Sequence, residues 1–445
     1  MSMNTPIVDF VRRYAASDTR RLHMPGHKGR PVLGFEFFDI TEIHGADSLY
    51  EADGIIAESE ANASRLFGSD TYYSTEGASQ CIRAMLHLAM QQNGGRPRRV
   101  LAGRNAHKAF LSAAALLDIA VAWLYPAAEE GYLACTVTPT ALDERLASED
   151  VAAVYVTSPD YLGNTADIAA LAEVCHRRGV LLLVDNAHGA YLKFLSPSQH
   201  PIDLGADICC DSAHKTLPVL TGGAYLHLAK TVPFEAGAVK AALALFGSTS
   251  PSYLILQSLD AANAYLENYP PQLSAFLPQV AAMKQRLAAH GYVLCGSEPL
   301  KVTLSTKPHG YHGCEVADAL RRAGAECEFA DPDYVVLMLT PQLTAEDLFC
   351  LQTALLSLPP KPPLTATPPR FCAGVSVLSV REAMLAKTQF VTVADALGRV
   401  LAAPTVGCPP AVPIAVCGER LDEHALACFR YYGIETCAVT VEEEV

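Results

Sequence analysis

The sequence predicts an α/β protein with a mostly parallel, doubly wound sheet in a large domain and a smaller C-terminal α+β domain. Three observations predict it. Short, continuous apolar runs recur between residues 99 and 184, as expected of strands buried on both faces. Helix-like stretches alternate with them, which implies parallel pairing through crossovers. Several of the runs then stop abruptly in polar clusters, where doubly wound sheets place their ligands.

The elements follow in order. Residues 1–35 read as a short helix and a loop rich in Pro and Gly, Leu22-His-Met-Pro-Gly-His-Lys-Gly29. Ile55 to Phe67 has apolar residues near a 3.6 period and reads as a helix, and so does Gly77 to Met90, entered through Thr75-Glu-Gly-Ala-Ser79. Arg99–Leu101, Ala120–Leu124, Ala152–Val156 and Val180–Val184 read as strands, with a helix over Thr165–Arg178. A long helical pattern over Ser252–His290 leads to strands at Lys301–Thr306 and Tyr334–Thr340 around a helix at Cys314–Ala323. Pro359 to Pro369 holds six prolines in eleven positions and reads as a stiff strap. One helix is expected afterwards, at Thr392–Ala402. The domains expected are therefore an arm at 1–35, a large domain at 36–290, a small domain at 291–358, a linker at 359–370 and a closing segment at 371–445.

Composition narrows the function. The 445 residues are 50% hydrophobic and 18% charged, which suits two or three well-packed domains rather than disorder. The net charge of −14 (33 Lys+Arg against 47 Asp+Glu) argues against a nucleic-acid partner, which needs a basic face. Met1–Ala16 has no signal-peptide core, and no run approaches the roughly 18 uncharged apolar residues of a spanning helix, so no membrane role is expected. Fourteen cysteines without a CxxC pair suggest reduced thiols in the cytoplasm. Pro25-Gly26 between His23 and His27 prevents a helical zinc face, and no metal is expected. Neither GxxxxGK[ST] nor GxGxxG occurs, which removes the main nucleotide-binding readings.

Chemistry enters at the strand ends. Val180–Val184 runs into Asp185-Asn-Ala-His-Gly189, and Ala206–Cys210 runs into Asp211-Ser-Ala-His-Lys-Thr216. A carboxylate at a buried strand end, with a lysine thirty residues further on in a Ser/His/Thr loop, matches the needs of pyridoxal phosphate. The acid keeps the pyridine nitrogen protonated, the amine forms the Schiff base, and hydroxyl and imidazole donors hold the phosphate. Gly77, Ala78 and Ser79, opening a helix, offer backbone N–H groups to that phosphate. His107, in Arg104-Asn-Ala-His-Lys108, is a candidate to stack on the ring. Each feature alone also has an ordinary structural role as a cap, a turn or a solvated pair. Their order and spacing make the case.

The sequence resembles the pyridoxal-phosphate-dependent ornithine/lysine/arginine decarboxylases, of the aminotransferase-like fold type I. The likeness covers most of residues 20–260. It rests on His23-Met-Pro-Gly-His-Lys-Gly29, Asp39-Ile-Thr-Glu42 with Gly45-Ala-Asp-Ser-Leu49, Arg104–Lys108, Thr157-Ser-Pro-Asp-Tyr161, Val184–Gly189, Ser212-Ala-His-Lys-Thr-Leu-Pro218 and Ser248-Thr-Ser-Pro-Ser-Tyr253. The resemblance implies Lys215 as the Schiff-base lysine and Asp185 as partner of the pyridine nitrogen. His107 and Ala187 would pack on the two ring faces, and Ser79, Ser212 and His214 would bind phosphate. His188 would lie near the phenolic oxygen or the substrate. Thr249 would reach the phosphate of a neighbouring subunit, making a homodimer with shared active sites.

The reaction implied is decarboxylation of a small cationic amino acid (arginine, lysine or ornithine) to its amine, as in polyamine metabolism. Carbon dioxide leaves, its electrons enter the ring, and Lys215 or His214 protonates Cα. The rivals are transamination or a lyase step on the same cofactor, or a cofactor-binding regulatory homologue with little turnover. The sequence departs from the family pattern at Asn186, Tyr191, Ala78 and Asp160, and in Cys408-Pro-Pro-Ala-Val-Pro413 and Cys417-Gly-Glu419. Glu419 and Asp160 are candidates for the substrate's cationic end. No regulator-like domain is expected ahead of His23, nor the high-order assembly of the long bacterial forms.

Overall fold

A computed structural model describes residues 3–127, 130–403 and 411–441. Its first seven strands are β1 (Asp70–Ser74), β2 (Arg99–Gly103), β3 (Ala120–Leu124), β4 (Ala153–Thr157), β5 (Leu181–Asp185), β6 (Ile208–Asp211) and β7 (Ala224–Leu228). The chain forms two units, Met1–Gln92 with Leu181–Ser274, and Asn93–Val180 with Ala275–Val445.

In the first unit the strands lie in the order β1-β7-β6-β5. β5 and β6 are parallel, while β7 runs antiparallel to both β6 and β1. β6 and β7 are buried along their whole length. The helices of this unit include α1 (Pro6–Ala15), α2 (Ile55–Phe67) and α3 (Ala78–Gln91). α1 starts with proline, whose missing N–H is no loss in a first turn. The N–H groups of Ile7 and Val8 are taken up by Asp260, whose buried Oδ2 accepts from both at 2.9 Å. α2 stops at Gly68, whose φ of +70° provides the left-handed cap that a side chain would resist.

In the second unit β4, β2 and β3 are all parallel, in that order. α4 (Lys108–Leu117) follows β2. A second, antiparallel sheet in this unit pairs Phe329–Ala330, Tyr334–Met338, Lys301–Ser305 and Val293–Cys295 in that order. The helices Gly313–Arg322 and Ala345–Leu356 belong to the same region, the latter closed by a Thr344/Asp347 capping box.

Two expected helices differ. The pattern over 252–290 forms two helices, Tyr253–Leu266 and Tyr269–Ala289. Pro270 and Pro271 sit in the first turn of the second, where they are tolerated, but neither could continue the first. The helix expected at Thr392–Ala402 is only a 3₁₀ turn over Val393–Asp395. Its Thr392 hydroxyl accepts from the Asp395 N–H, and Gly398 at φ +78° turns the chain into bridge pairing. The helices of the closing segment are instead Val380–Leu385 and Glu423–Tyr431. The Pro-rich stretch of 359–369 has no regular structure. Cys408, Pro409 and Pro410 of the family-like segment lie outside the described residues.

Candidate active site

The carboxyl ends of β5 and β6 bring the expected residues together. Asp185 ends β5 and is 2% exposed. Its Oδ1 accepts from the Ala187 N–H at 3.2 Å and from the Cys210 thiol at 3.8 Å, Cys210 being its partner across the parallel pair. Burial, then the Asp185 charge, push the Cys210 thiol far up, so it stays a neutral donor. After Asp211 the chain enters one short helix, Ala213–Thr216, which carries Lys215. The partly buried Lys215 reaches back to the β5 side, and its Nζ lies 3.1 Å from Nε2 of His188. Lysine and imidazole thus meet from two loops that parallel pairing places side by side, the first of them opened by Asp185.

The other expected cofactor ligands of this unit border the same loops. His214 donates from Nδ1 to the Gly223 carbonyl at 2.9 Å, which fixes its tautomer because a carbonyl can only accept. Gly77 precedes α3 with φ +71° and ψ 178°, a conformation nearly confined to glycine. A Cβ there would meet His214 Cε1 at 3.9 Å, so the turn that opens α3 with Ala78 and Ser79 faces that ring. The Ser212 side chain makes no cap hydrogen bond in its short helix. The buried Thr216 hydroxyl has no hydrogen-bond partner among the described residues. Glycine turn, helix start and hydroxyls form the donor set that a phosphate monoester requires, and the residues fit pyridoxal phosphate. Thr249 is exposed in the turn before Tyr253–Leu266, and the preceding Ser248 N–H donates to the Glu76 carboxylate, beside Gly77. The N-terminal signature is tied together as well, with His27 Nε2 3.2 Å from Asp39 Oδ2.

His107 belongs to the second unit, where it caps α4, its Nδ1 accepting from the Ala109 N–H at 3.1 Å. Three residues earlier, buried Arg104 donates to the Pro413 and Ile414 carbonyls and pairs with Glu419 at 3.6 Å. Its guanidinium lies over the Trp123 and Phe371 rings. Burial lowers the Arg104 pKa against the pull of Glu419. Asp160 accepts from both the N–H and the amide of Asn164 at 2.8 Å, and burial holds its carboxyl up against those bonds. Both acids offered for the substrate's cationic end therefore have structural partners.

A family model described as "Orn/Lys/Arg decarboxylase, major domain" matches residues 5–290. The chain belongs to the Orn/Lys/Arg decarboxylase family. It is accordingly an amino-acid decarboxylase of the pyridoxal-phosphate-dependent class. It is 29% identical to the uncharacterized protein YaaO of Bacillus subtilis, over 95% of this chain and 93% of that one. It is 28% identical to an arginine decarboxylase of Halalkalibacterium halodurans, over 96% of this chain and 93% of that one. Among solved structures, the Francisella novicida lysine decarboxylase LdcF superposes with a TM-score of 0.79 at 15% identity, covering 98% of this chain and 81% of that one. That likeness shows the fold, the expected type I architecture with its mixed, mostly parallel sheet.

Within this decarboxylase fold, one cluster escaped the sequence reading. Asp211 accepts at Oδ1 from the Asn186 amide at 2.6 Å, and at Oδ2 from His200 and His227 at 3.1 and 3.2 Å. Nothing in the spacing marked it, because its members come from β6, β7 and two loops.

Proposed function

We propose that this chain binds pyridoxal phosphate through Lys215 and decarboxylates a basic amino acid, with arginine the first substrate to test. The observation that carries the reading is the 3.1 Å approach of Lys215 Nζ to His188 Nε2 beside buried Asp185. Arginine comes first because relatives named arginine decarboxylase match along nearly the whole chain, and the wider choice of lysine or ornithine stays within the family name.

When bound, the cofactor supplies an electron sink for the pair left as carbon dioxide departs. The chain's own groups do the rest. Asp185, desolvated and with its Oδ1 already hydrogen-bonded, presents a fixed anion that holds a proton on a ring nitrogen beside it. The 188–215 contact lets one proton pass between amine and imidazole, so Lys215 can act as a nucleophile and later return a proton to Cα. His214, with Nδ1 donating to Gly223 and Cε1 facing the Gly77 turn, would join Ser79 and Ser212 around the phosphate when its ring is doubly protonated. His107, its ring fixed by the α4 cap, is the stacking plate that the family resemblance implies.

The same reading makes the enzyme a homodimer whose exposed Thr249 reaches the partner's cofactor phosphate. A reducing, cytoplasmic setting suits the adjacent free thiols of Cys209 and Cys210. No helix among the described residues is long and apolar enough to cross a membrane.

The purified protein is scanned for visible cofactor absorbance and then offered arginine, lysine and ornithine while released carbon dioxide is followed. Absorbance that vanishes in Lys215→Ala, with carbon dioxide and amine from one of the three, is the expected result. Asp185→Ala should keep part of the cofactor and lose nearly all turnover. Keto-acid product, or turnover surviving in Lys215→Ala, overturns the proposal.

A further inference from the structure

Asp211 lies between two residues already placed in the site, Cys210, which donates to Asp185, and Ser212 of the phosphate cradle. It is wholly buried, as are His200 and His227. Its Oδ1 holds the Asn186 amide, and Asn186 directly follows Asp185. The Asn186 N–H is itself bonded to the Cys210 carbonyl at 3.0 Å, so two links join the loops carrying Asp185 and Lys215.

The protonation pattern of the cluster follows from its partners. His227 Nδ1 lies 2.9 Å from the Thr71 hydroxyl and 3.4 Å from that of Ser69, which can donate, leaving Nε2–H for Asp211. His200 Nδ1 is buried with no hydrogen-bond partner among the described residues. A bare lone pair there is tolerable, whereas an N–H would be a stranded donor. The three groups His200, Asp211 and Cys209 have the donor types of a metal site, but ligation through Nε2 would force that stranded N–H on His200. Two neutral imidazoles donating to one carboxylate satisfy the geometry better. Burial raises the Asp211 carboxyl, yet the two imidazoles and their hydrogen bonds outweigh it and keep the group ionised, while burial holds His227 below its ordinary value. The cluster therefore carries a fixed negative charge. Its field and that of Asp185 both reach the thiols of Cys81 and Cys210.

We propose that Asp211 is a positioning residue of the decarboxylase site: through Asn186 it locks the Asp185 loop to the Lys215 loop, and its charge supplements that of Asp185 in holding a proton on the cofactor. The inference rests on the proposed function, and two substitutions separate its two parts. Asp211→Asn removes the charge but can keep the contacts, since its amide oxygen can accept from both imidazoles and its NH₂ can face Asn186 Oδ1, now buried without a partner. Asn186→Ala removes the tether and keeps the charge.

The experiment titrates the visible absorbance of each holoprotein against pH, with cofactor affinity, thermal unfolding of the cofactor-free chain and turnover measured alongside. For Asp211→Asn the absorbance midpoint should move to lower pH by roughly one unit, because a nearby anion that favoured the protonated form is gone. Its turnover should fall on the order of tenfold, with the unfolding temperature nearly unchanged. Asn186→Ala should keep the wild-type midpoint and bind the cofactor more weakly. An Asp211→Asn midpoint equal to the wild type, with wild-type turnover, overturns this inference and leaves the proposed function standing. Should Asp211→Asn fail to fold, a midpoint lowered by about one unit in Asp211→Glu, which keeps the charge, together with unchanged cofactor affinity in Asn186→Ala, overturns it equally. A wild-type protein with no cofactor absorbance overturns both.

Discussion

Lys215 Nζ and His188 Nε2 face each other at 3.1 Å, so one proton serves both atoms. An ammonium can donate to a neutral imidazole, but two protonated groups would repel at that distance. His188 therefore stores the proton that Lys215 must lose to react. Replacing it with alanine should leave cofactor absorbance in place and lower kcat on the order of 10²-fold, the range ascribed to a positioned acid–base group. Steady-state kinetics across pH check this, and a His188→Ala enzyme within twofold of wild-type kcat would exclude the role.

Gly77 should resist every side chain. Its φ of +71° with ψ near 178° lies where residues with a Cβ rarely go, while the space itself is open, His214 standing 3.9 Å from an added Cβ. The loss in Gly77→Ala is thus backbone strain, on the order of 1–3 kcal/mol. Urea unfolding reads it directly, and an unchanged midpoint would show that the turn relaxes without penalty.

Glu419 is predicted to act on stability before it acts on substrate. With Arg104 buried against it, Glu419→Ala leaves a guanidinium charge without its counter-ion, which costs about 3–5 kcal/mol. The double substitution Arg104→Met with Glu419→Met should recover much of that. A Glu419→Ala enzyme with unaltered stability and a strongly raised KM would return Glu419 to the substrate's cationic end.

Asp260 gives the fold a pH signature. Burial raises its carboxyl to about 6 from an ordinary 3.8, outweighing the hydrogen bonds from Ser59, Val8 and Ile7. Because the folded chain holds this proton more tightly than the unfolded one, the resulting stability is present below about pH 4 and is lost as pH rises through about 6. The displacement corresponds to about 3 kcal/mol. Asp260→Asn keeps an oxygen for the α1 N–H groups and should remove that increment from the pH dependence. Unfolding free energies of both proteins between pH 4 and 7 test it, and identical slopes would discard Asp260 as the source.

Much of the molecule was legible in one dimension. Strands buried on both faces leave unbroken apolar runs, so β4 and β5 could be read within a residue or two, and the apolar run of β3 was read as well. Asp185, Lys215 and the Gly77 turn stood out because a cofactor needs several groups in fixed chain order, and each sits at the end of an apolar run or the start of a helix. Local signals misled where a context-dependent terminator intervened. Thr392 caps only a short turn before Gly398 reverses the chain, and Pro270 begins a new helix inside a continuous helical period.

What the sequence by itself determined is the fold class and the family, and it singled out the groups proposed for the chemistry, since these are carried by periodicity and by motifs contiguous in the chain. Tertiary structure alone decided which of those groups are paired and in what protonation state. Glu419 meets Arg104 across more than three hundred residues, Asp260 caps a helix at the opposite end of its unit's sequence, and Asp211 gathers two imidazoles and an amide from separate elements. Charge pairing and desolvation depend on distances between side chains, and no spacing along the chain encodes those distances once the contact closes a long loop.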